Sequence, residues 1–242
     1  MRDSAADHTE GDKDVQMNGS MAASVGRLLI LGANGQIARI VRKDLLGKAE
    51  GAGCGVQVTD YLRKPARLQI IDPGRERVVD GDVNDYPTLL AAAQGQDLVL
   101  ADLGGRFEPM AANVVRAMDH AGVGRLIWIT GLGLYHEVPG EFGRWVEESC
   151  GHEVMEDTRR AARIIEGSDL DYTIIRAAYM DDRPDRDYEL TAKGEPYRGT
   201  TISRASIADL IERIVASPGE FNRASLGISR PGTAGDRPVW VD

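Results

Sequence analysis

The chain alternates short apolar runs with segments whose apolar residues recur every three or four positions. The apolar runs predict strands at residues 28–31, 56–62, 77–79, 98–101, 126–130, 172–175 and 224–228. Helical spacing covers residues 36–46, 88–93, 110–120, 154–166 and 206–216. Most of the strands are apolar along their whole length, as strands covered on both faces must be. This alternation predicts an α/β fold, a doubly wound parallel sheet with crossover helices.

The same pattern indicates how the chain is organised. Residues 25–242 are predicted to form one domain, because nothing between residues 27 and 230 resembles a linker. Residues 131–151 and 177–203 carry no clear pattern and both follow strands, so we expect substrate-side loops beyond the carboxyl ends of the sheet. Residues 1–24 are rich in Asp and poor in large apolar residues, which predicts a disordered tail.

Composition narrows the class of protein. A net charge of -9 and a pI near 5.0 argue against a protein that grips nucleic acid directly. Two cysteines, Cys54 and Cys150, form no ligand-spaced cluster, so we expect a reducing compartment and no metal. No run approaches the roughly 18 apolar residues of a membrane span. We therefore expect a cytoplasmic protein that acts on a small molecule without membrane contact, and a homodimer is left open.

A glycine turn follows the first predicted strand in LILGANGQIA. Gly32 permits a tight turn, Gly35 lets a diphosphate approach the backbone, and Ala38 lets the helix pack closely on the sheet. The first N–H groups of that helix would then point at the anion. A plain strand-to-helix turn would look similar, but the surrounding strand, helix and βαβ pattern favour dinucleotide binding.

The end of the second strand bears on which dinucleotide is bound. Pro65 should end this strand, which leaves Arg63 and Lys64 at its carboxyl end. A guanidinium can fork onto a 2′-phosphate and an ammonium adds a point charge, so NADP(H) is favoured over NAD(H). Asp60 is acidic but should lie too deep to reach the ribose. The alternative is a solvated basic pair.

Two further turns are candidates for cofactor contacts. Asp82, in GDVND after the third strand, could bracket an adenine edge, or form a plain Asx turn before the next helix. The small residues of ADLGG, residues 101–105, suit a backbone approached by ribose and phosphate, or a flexible turn.

In this order, the motifs resemble the NmrA-like, atypical short-chain dehydrogenase/reductase family. The match runs from Arg27 to the end through LILGANGQIA, LRKPARL, GDVND, QDLVLADLGG, GRLIWITGLGLY, SDLDYTIIR and ISRASIADLI. The resemblance implies an NAD(P)-binding Rossmann fold with a small C-terminal substrate-binding region. It implies cofactor contacts at Gly32, Asn34, Gly35, Gln36, Ile37, Arg63, Asp82, Val83, Leu103 and Gly104.

The catalytic part of the family pattern is absent. Active short-chain reductases carry a Tyr, and four residues later a Lys that lowers the pKa of the phenol. The corresponding positions here fall near Val154 and Thr158, and neither residue can serve. The usual Ser or Thr after the fifth strand falls near Gly131, with Thr130 one position earlier.

An electron-poor acceptor does not need that dyad, because it can take hydride directly from a stacked nicotinamide. We therefore expect an NADPH-dependent reductase acting on a flavin-, quinone- or enone-like acceptor, as a similarity to biliverdin reductase B type proteins also implies. The candidate catalytic residues are Thr130, Tyr135 and His136. The candidate substrate contacts are Tyr179, Met180, Phe142 and Trp145. The alternative is a non-catalytic, NADP(H)-binding redox-sensing regulator; a sugar-nucleotide epimerase would need the absent tyrosine.

Overall fold

The computed structural model describes residues 25–47 and 55–240. The predicted tail and Cys54 lie outside these ranges. The strands are β1 (Arg27–Leu31), β2 (Gln57–Leu62), β3 (Glu76–Asp80), β4 (Leu98–Ala101), β5 (Arg125–Gly131), β6 (Asp171–Ala177), β7 (Tyr179–Asp181), β8 (Glu189–Thr191), β9 (Thr201–Ser203) and β10 (Ala224–Ser229). The helices are α1 (Gln36–Gly47), α2 (Tyr86–Ala93), α3 (Phe107–Ala121), α4 (Gly140–Cys150), α5 (His152–Glu166) and α6 (Arg204–Ala216).

Eight of the strands form one sheet in the order β3-β2-β1-β4-β5-β6-β10-β8. All neighbours pair in parallel except β8, which runs antiparallel to β10 at one edge. The strand order reverses between β1 and β4, so the crevice beyond their carboxyl ends is where a ligand of such a sheet binds. The predicted doubly wound α/β fold is confirmed.

Helices cover both faces of the sheet. Apolar side chains of α1 and α6 pack on one face with Ile30, Leu100 and Ile175, whereas α2, α3 and α5 pack on the other face with Leu31 and Trp128. The central strands are therefore buried on both sides, which explains their continuous apolar sequences.

Each of the seven predicted strands and five predicted helices is present, with bounds that differ by at most three residues. The expectation of irregular structure in residues 131–151 and 177–203 is wrong. Helix α4 occupies half of the first segment, because Phe142 and Val146 bury one face of it. In the second segment, β7 pairs with β9 in a small parallel sheet and β8 joins the edge of the main sheet. Three-residue strands depend on distant partners, so local patterning does not reveal them.

Within the described part of the chain, we find no helix with the length and hydropathy that crossing a bilayer requires.

Candidate functional site

The turn between β1 and α1 is closely packed. Gly32 has a φ of 82°, and a Cβ there would lie 2.1 Å from the carbonyl oxygen of Asp102. A Cβ on Gly35 would lie 2.1 Å from Oδ2 of Asp102. The N–H of Gly32 donates to the Tyr61 carbonyl at 2.9 Å, and that of Gly35 to the Gly32 carbonyl at 2.7 Å. Glycine is needed at both positions because the carbonyl oxygen and the side chain of Asp102, the residue after β4, press against the turn.

Asp102 follows β4 and caps helix α1. Its Oδ2 accepts the N–H of Ala38 at 3.0 Å, and the N–H of Ile37 also bonds to this carboxylate. Burial raises the pKa of Asp102 above its ordinary value, while these two amides and the charge of Arg204 act in the opposite direction. A carboxylate therefore occupies the positive end of the α1 dipole, beside the place where a diphosphate would lie.

A cavity of about 480 Å³ opens beside this turn. It brings together nine predicted cofactor contacts: Gly32, Asn34, Gly35, Arg63, Lys64, Asp82, Val83, Leu103 and Gly104. Gln36 and Ile37 are not among its lining residues but form the first two positions of α1 at the same turn. The cavity spans the ends of β1, β2, β3 and β4, which is the arrangement that the glycine turn and strand order predict.

Basic side chains stand at one end of this cavity, which is called the polar cavity below. Arg63, Lys64 and Arg67 all line it. The Arg63 side chain is 71% exposed and its NH1 is 3.9 Å from Oδ2 of Asp82, so this pairing is weak. Asp60 is fully buried and pairs with Arg42 at 2.9 Å, so it does not reach the cavity. The glycine cradle and the available cations together fit a dinucleotide with an extra phosphate.

A second cavity of about 400 Å³, called the apolar cavity below, lies at the ends of β5 and β6. Its walls are formed by Phe107, Leu132, Leu134, Val146, Met155, Ala177 and Ala178, together with more polar residues named below. Thr130 also lines it and is 6% exposed, yet its hydroxyl has no protein hydrogen-bond partner. A buried hydroxyl without a partner is costly, which makes Thr130 a candidate for contact with a bound ligand.

Val154 and Thr158 lie on the face of α5 that lines the apolar cavity. The Thr158 hydroxyl donates to the Val154 carbonyl at 2.5 Å, which satisfies it within the helix. These are the two positions at which the family pattern carries its Tyr and Lys. The α5 side of this cavity therefore offers no acid and no base.

Of the predicted substrate contacts, Tyr179 and Met180 line the apolar cavity. Phe142 and Trp145 do not line it, but their rings pack against the ring of Tyr179. The ring centroids of Trp145 and Tyr179 are 5.0 Å apart, and those of Phe142 and Tyr179 are 6.2 Å apart. Burial, followed by the nearby Cys150, raises the pKa of Tyr179, so its phenol stays protonated at neutral pH. The aromatic cluster holds one wall of the cavity in place.

Tyr135 and His136 are not among the residues that line the apolar cavity with Thr130. The Tyr135 hydroxyl donates to Glu166 at 2.7 Å. The His136 side chain is 69% exposed, and its Nδ1 is 3.5 Å from a carboxylate oxygen of Glu147. The fold therefore does not bring the three predicted catalytic residues together.

The charged residues at the end of β6 and in the segment after it form ion pairs within the protein. Arg230 binds the carboxylates of Asp181 and Asp185 at 2.9–3.1 Å, and Arg176 pairs with buried Glu137 at 2.5 Å. Among the described residues no group of three His, Cys, Asp or Glu side chains is placed to hold a metal ion.

Among the lining residues that sequence reasoning missed, four with polar or charged side chains bear on ligand binding. Tyr61 and Arg67 line the polar cavity, and the Tyr61 hydroxyl donates to the Asp82 carbonyl at 2.8 Å. Asp102 lines the same cavity, and Arg204 lines the apolar one. The sequence offered one signal for Asp102, its place directly after β4 at the switch point of the sheet. Arg204 lies far along the chain from both cavities, so only the fold reveals it.

Comparison with known proteins agrees with this geometry. Residues 32–218 match the model of a family described as NAD(P)H-binding. A solved Rossmann-fold NAD(P)-binding family protein from Shigella flexneri is 37% identical, with a TM-score of 0.74 over 90% of this chain and 100% of that one. A short-chain dehydrogenase/reductase from Veillonella parvula, solved in complex with NADP, is 27% identical, with a TM-score of 0.82 over 89% of this chain and 100% of that one.

Among curated proteins, isoflavone reductase from Pisum sativum is 23% identical over 231 residues, covering 84% of this chain and 70% of that protein. The family match spans the glycine turn, both cavities and all of α6, and the predictions of family and of a nicotinamide nucleotide are confirmed. The chain therefore belongs to the family described as NAD(P)H-binding, whose members share the Rossmann fold.

Proposed function

We propose that this chain is an NADPH-dependent reductase that transfers hydride to a planar, conjugated acceptor without a Tyr–Lys dyad. The observation that carries the proposal is the pair of cavities. The polar cavity has a glycine cradle and three basic side chains, and the apolar cavity has one buried, unpartnered hydroxyl. Asp102 lines the first, Arg204 lines the second, and the two interact electrostatically, so the cavities are neighbours.

The polar cavity supports NADP(H) rather than NAD(H). Asp60, the acid nearest the end of β2, is buried against Arg42 and cannot accept hydrogen bonds from a ribose. Arg63, Lys64 and Arg67 are placed to meet a 2′-phosphate instead. The Veillonella protein, solved with NADP, is consistent with this choice.

The apolar cavity supports an acceptor that needs little acid–base help. Bound NADPH supplies two electrons and one proton as a hydride, and the second proton of the reduced acceptor comes from water. The apolar walls position the acceptor, and the Thr130 hydroxyl, which is buried and has no protein partner, would turn towards the cavity to donate a hydrogen bond to an acceptor oxygen. A simple ketone would need a proton in the transition state, and Val154 and Thr158 cannot deliver one. The name of the pea relative, isoflavone reductase, fits the same acceptor class.

The test is NADPH oxidation by the full chain with a panel of quinones, flavins, enones and simple ketones. We expect turnover with at least one conjugated acceptor and none with the ketones. Thr130→Val should lower kcat/KM by about tenfold, because it removes one donor to the reacting oxygen, while Thr130→Ser should retain most activity. NADPH binding without oxidation of any acceptor would favour the redox-sensing regulator instead, and absence of binding would overturn the proposal entirely.

The choice of cofactor is tested separately by Arg63→Ala. We expect this change to weaken NADP(H) by at least about tenfold and NAD(H) by much less, because only the former offers a phosphate to the guanidinium. Arg144→Gln, at an exposed arginine of α4, is the matched control. Equal weakening of both cofactors would show that Arg63 does not select the 2′-phosphate.

A further inference from the structure

Arg204 is placed where its charge faces the apolar cavity. It is the first residue of α6 and lines this cavity with a side chain that is only 17% exposed. NH1 of Arg204 donates to Asp182 at 2.8 Å, but the Asp182 side chain is 80% exposed. An ion pair with so exposed a partner is weak and is screened by salt. Most of the N–H donors of the guanidinium therefore remain available to a ligand.

The position of Arg204 is electrostatically unfavourable for the helix itself. A cation at the first position of a helix opposes the helix dipole, and α6 has no acidic residue in its first turn to offset it. Ser203 caps the helix by accepting the N–H of Ser206 at 2.9 Å, so the capping role is already filled. The guanidinium and the helix terminus therefore add to the same positive field.

Asp182 at the surface and Asp102 in the polar cavity interact with Arg204, but none of the described residues that line the apolar cavity itself is an Asp or a Glu. Among those lining residues Arg204 is the single cation. The remaining walls are apolar or carry hydroxyl or thiol groups, as at Thr130, Thr158, Tyr179 and Cys150. A positive group in an otherwise apolar cavity attracts an anion more strongly than it would in water.

From these observations we infer that the acceptor carries an anionic substituent, a carboxylate, sulfonate or phosphate, which Arg204 binds while the conjugated part lies among the apolar walls. The inference rests on the proposed function and narrows its acceptor class. The phosphates of the cofactor have their own partners at the polar cavity, which Arg204 does not line. Arg204 is thus assigned to selecting the acceptor.

The experiment uses two matched pairs of acceptors, riboflavin with flavin mononucleotide, and a naphthoquinone with its sulfonate. Each pair shares a conjugated ring system and differs by one anionic group. We measure kcat/KM with NADPH and, independently of turnover, binding to the NADP+ complex by quenching of tryptophan fluorescence. In the wild type we expect at least one pair of acceptors to show a preference of about tenfold for the anionic member. This is the ratio that one hydrogen bond to a charged group can produce.

Variants assign the preference to Arg204. Arg204→Gln should remove the preference by weakening only the anionic acceptor, Arg204→Lys should restore part of it, and Asp182→Asn, which frees the guanidinium, should keep or increase it. Absence of any anionic preference in the wild type, or an equal loss for neutral and anionic acceptors in Arg204→Gln, would overturn the inference. So would a loss of NADPH affinity in Arg204→Gln in place of the acceptor effect. If NADPH binds but no acceptor is reduced, the proposed function fails, while the fluorescence titration still tests Arg204.

Discussion

At the scale of single residues, the carboxylate of Asp102 lies where its negative charge would oppose the binding of a diphosphate. It accepts N–H groups from the first turn of α1 and lines the polar cavity in which we place the diphosphate. Burial raises the pKa of this carboxyl, and a bound diphosphate would raise it further. Cofactor binding should therefore be accompanied by proton uptake.

The corresponding prediction concerns Asp102→Asn. The affinity of the wild type for NADP+ should fall as pH rises through the raised pKa of Asp102, since the ionised carboxylate repels the diphosphate. Asn keeps an oxygen for the N–H of Ala38 but carries no charge, so the variant should bind about tenfold more tightly at high pH and show a flatter profile. Calorimetric titration of both proteins with NADP+ from pH 5 to 9 measures the two affinities. Protonation of the nucleotide's own phosphate affects both proteins equally and cancels in the comparison. Parallel pH profiles would contradict the prediction.

At the scale of elements, the β1–α1 turn depends on two glycines for different reasons. Gly32 has a positive φ and would place a Cβ against a backbone oxygen, whereas the Cβ of Gly35 would meet the end of a side chain. A backbone oxygen cannot move without shifting β4, but a carboxylate can rotate. The two glycines should therefore differ in what their replacement costs.

We predict that Gly32→Ala lowers the free energy of unfolding by about 1–3 kcal/mol and that Gly35→Ala costs less. Both variants should weaken NADPH binding, because each disturbs the amides of the turn. Urea denaturation and NADPH titration give the two quantities. Gly47→Ala is the control, since a Cβ there meets nothing within 4 Å. A Gly32→Ala protein as stable as the control would refute the strained-turn explanation.

At the scale of the whole molecule, Asp60 joins three elements through a buried charge cluster. It lies on β2 and contacts Arg42 of α1, which also binds Glu76 of β3 at 2.5 Å. Burial, partly opposed by Arg42, raises the pKa of Asp60 from 3.8 to about 7. The folded protein therefore holds a proton that the unfolded chain releases above about pH 4.

The sign of the resulting pH dependence follows from linkage. Because the pKa of Asp60 is higher in the folded state, its contribution to stability falls as pH rises from about 4 to about 7. Asp60→Asn, which mimics the protonated side chain, should remove this part of the pH dependence. Its stability relative to the wild type should therefore be greater at pH 8 than at pH 5. Denaturation of both proteins at the two pH values checks this, and a difference of the opposite sign would contradict it.

The pattern of apolar residues was sufficient to predict seven of the eight strands of the main sheet, five helices and the glycine turn. Continuous apolar strands and helical spacing are local properties that arise from burial on both sides of a parallel sheet. The basic end of β2 could also be recognised, because Pro65 ends the strand at a predictable place. Nine of the predicted cofactor contacts consequently line one cavity.

Tertiary structure alone decided the rest. Tyr135 and His136 follow β5 as expected, but they contact Glu166 and Glu147 on two later helices and do not line the apolar cavity with Thr130. Arg204 lines the apolar cavity because the fold brings the start of α6 to the carboxyl ends of β5 and β6, which precede it in the chain. Local patterning records which residues must be buried, whereas the direction of a polar side chain depends on partners that the fold brings from elsewhere in the chain.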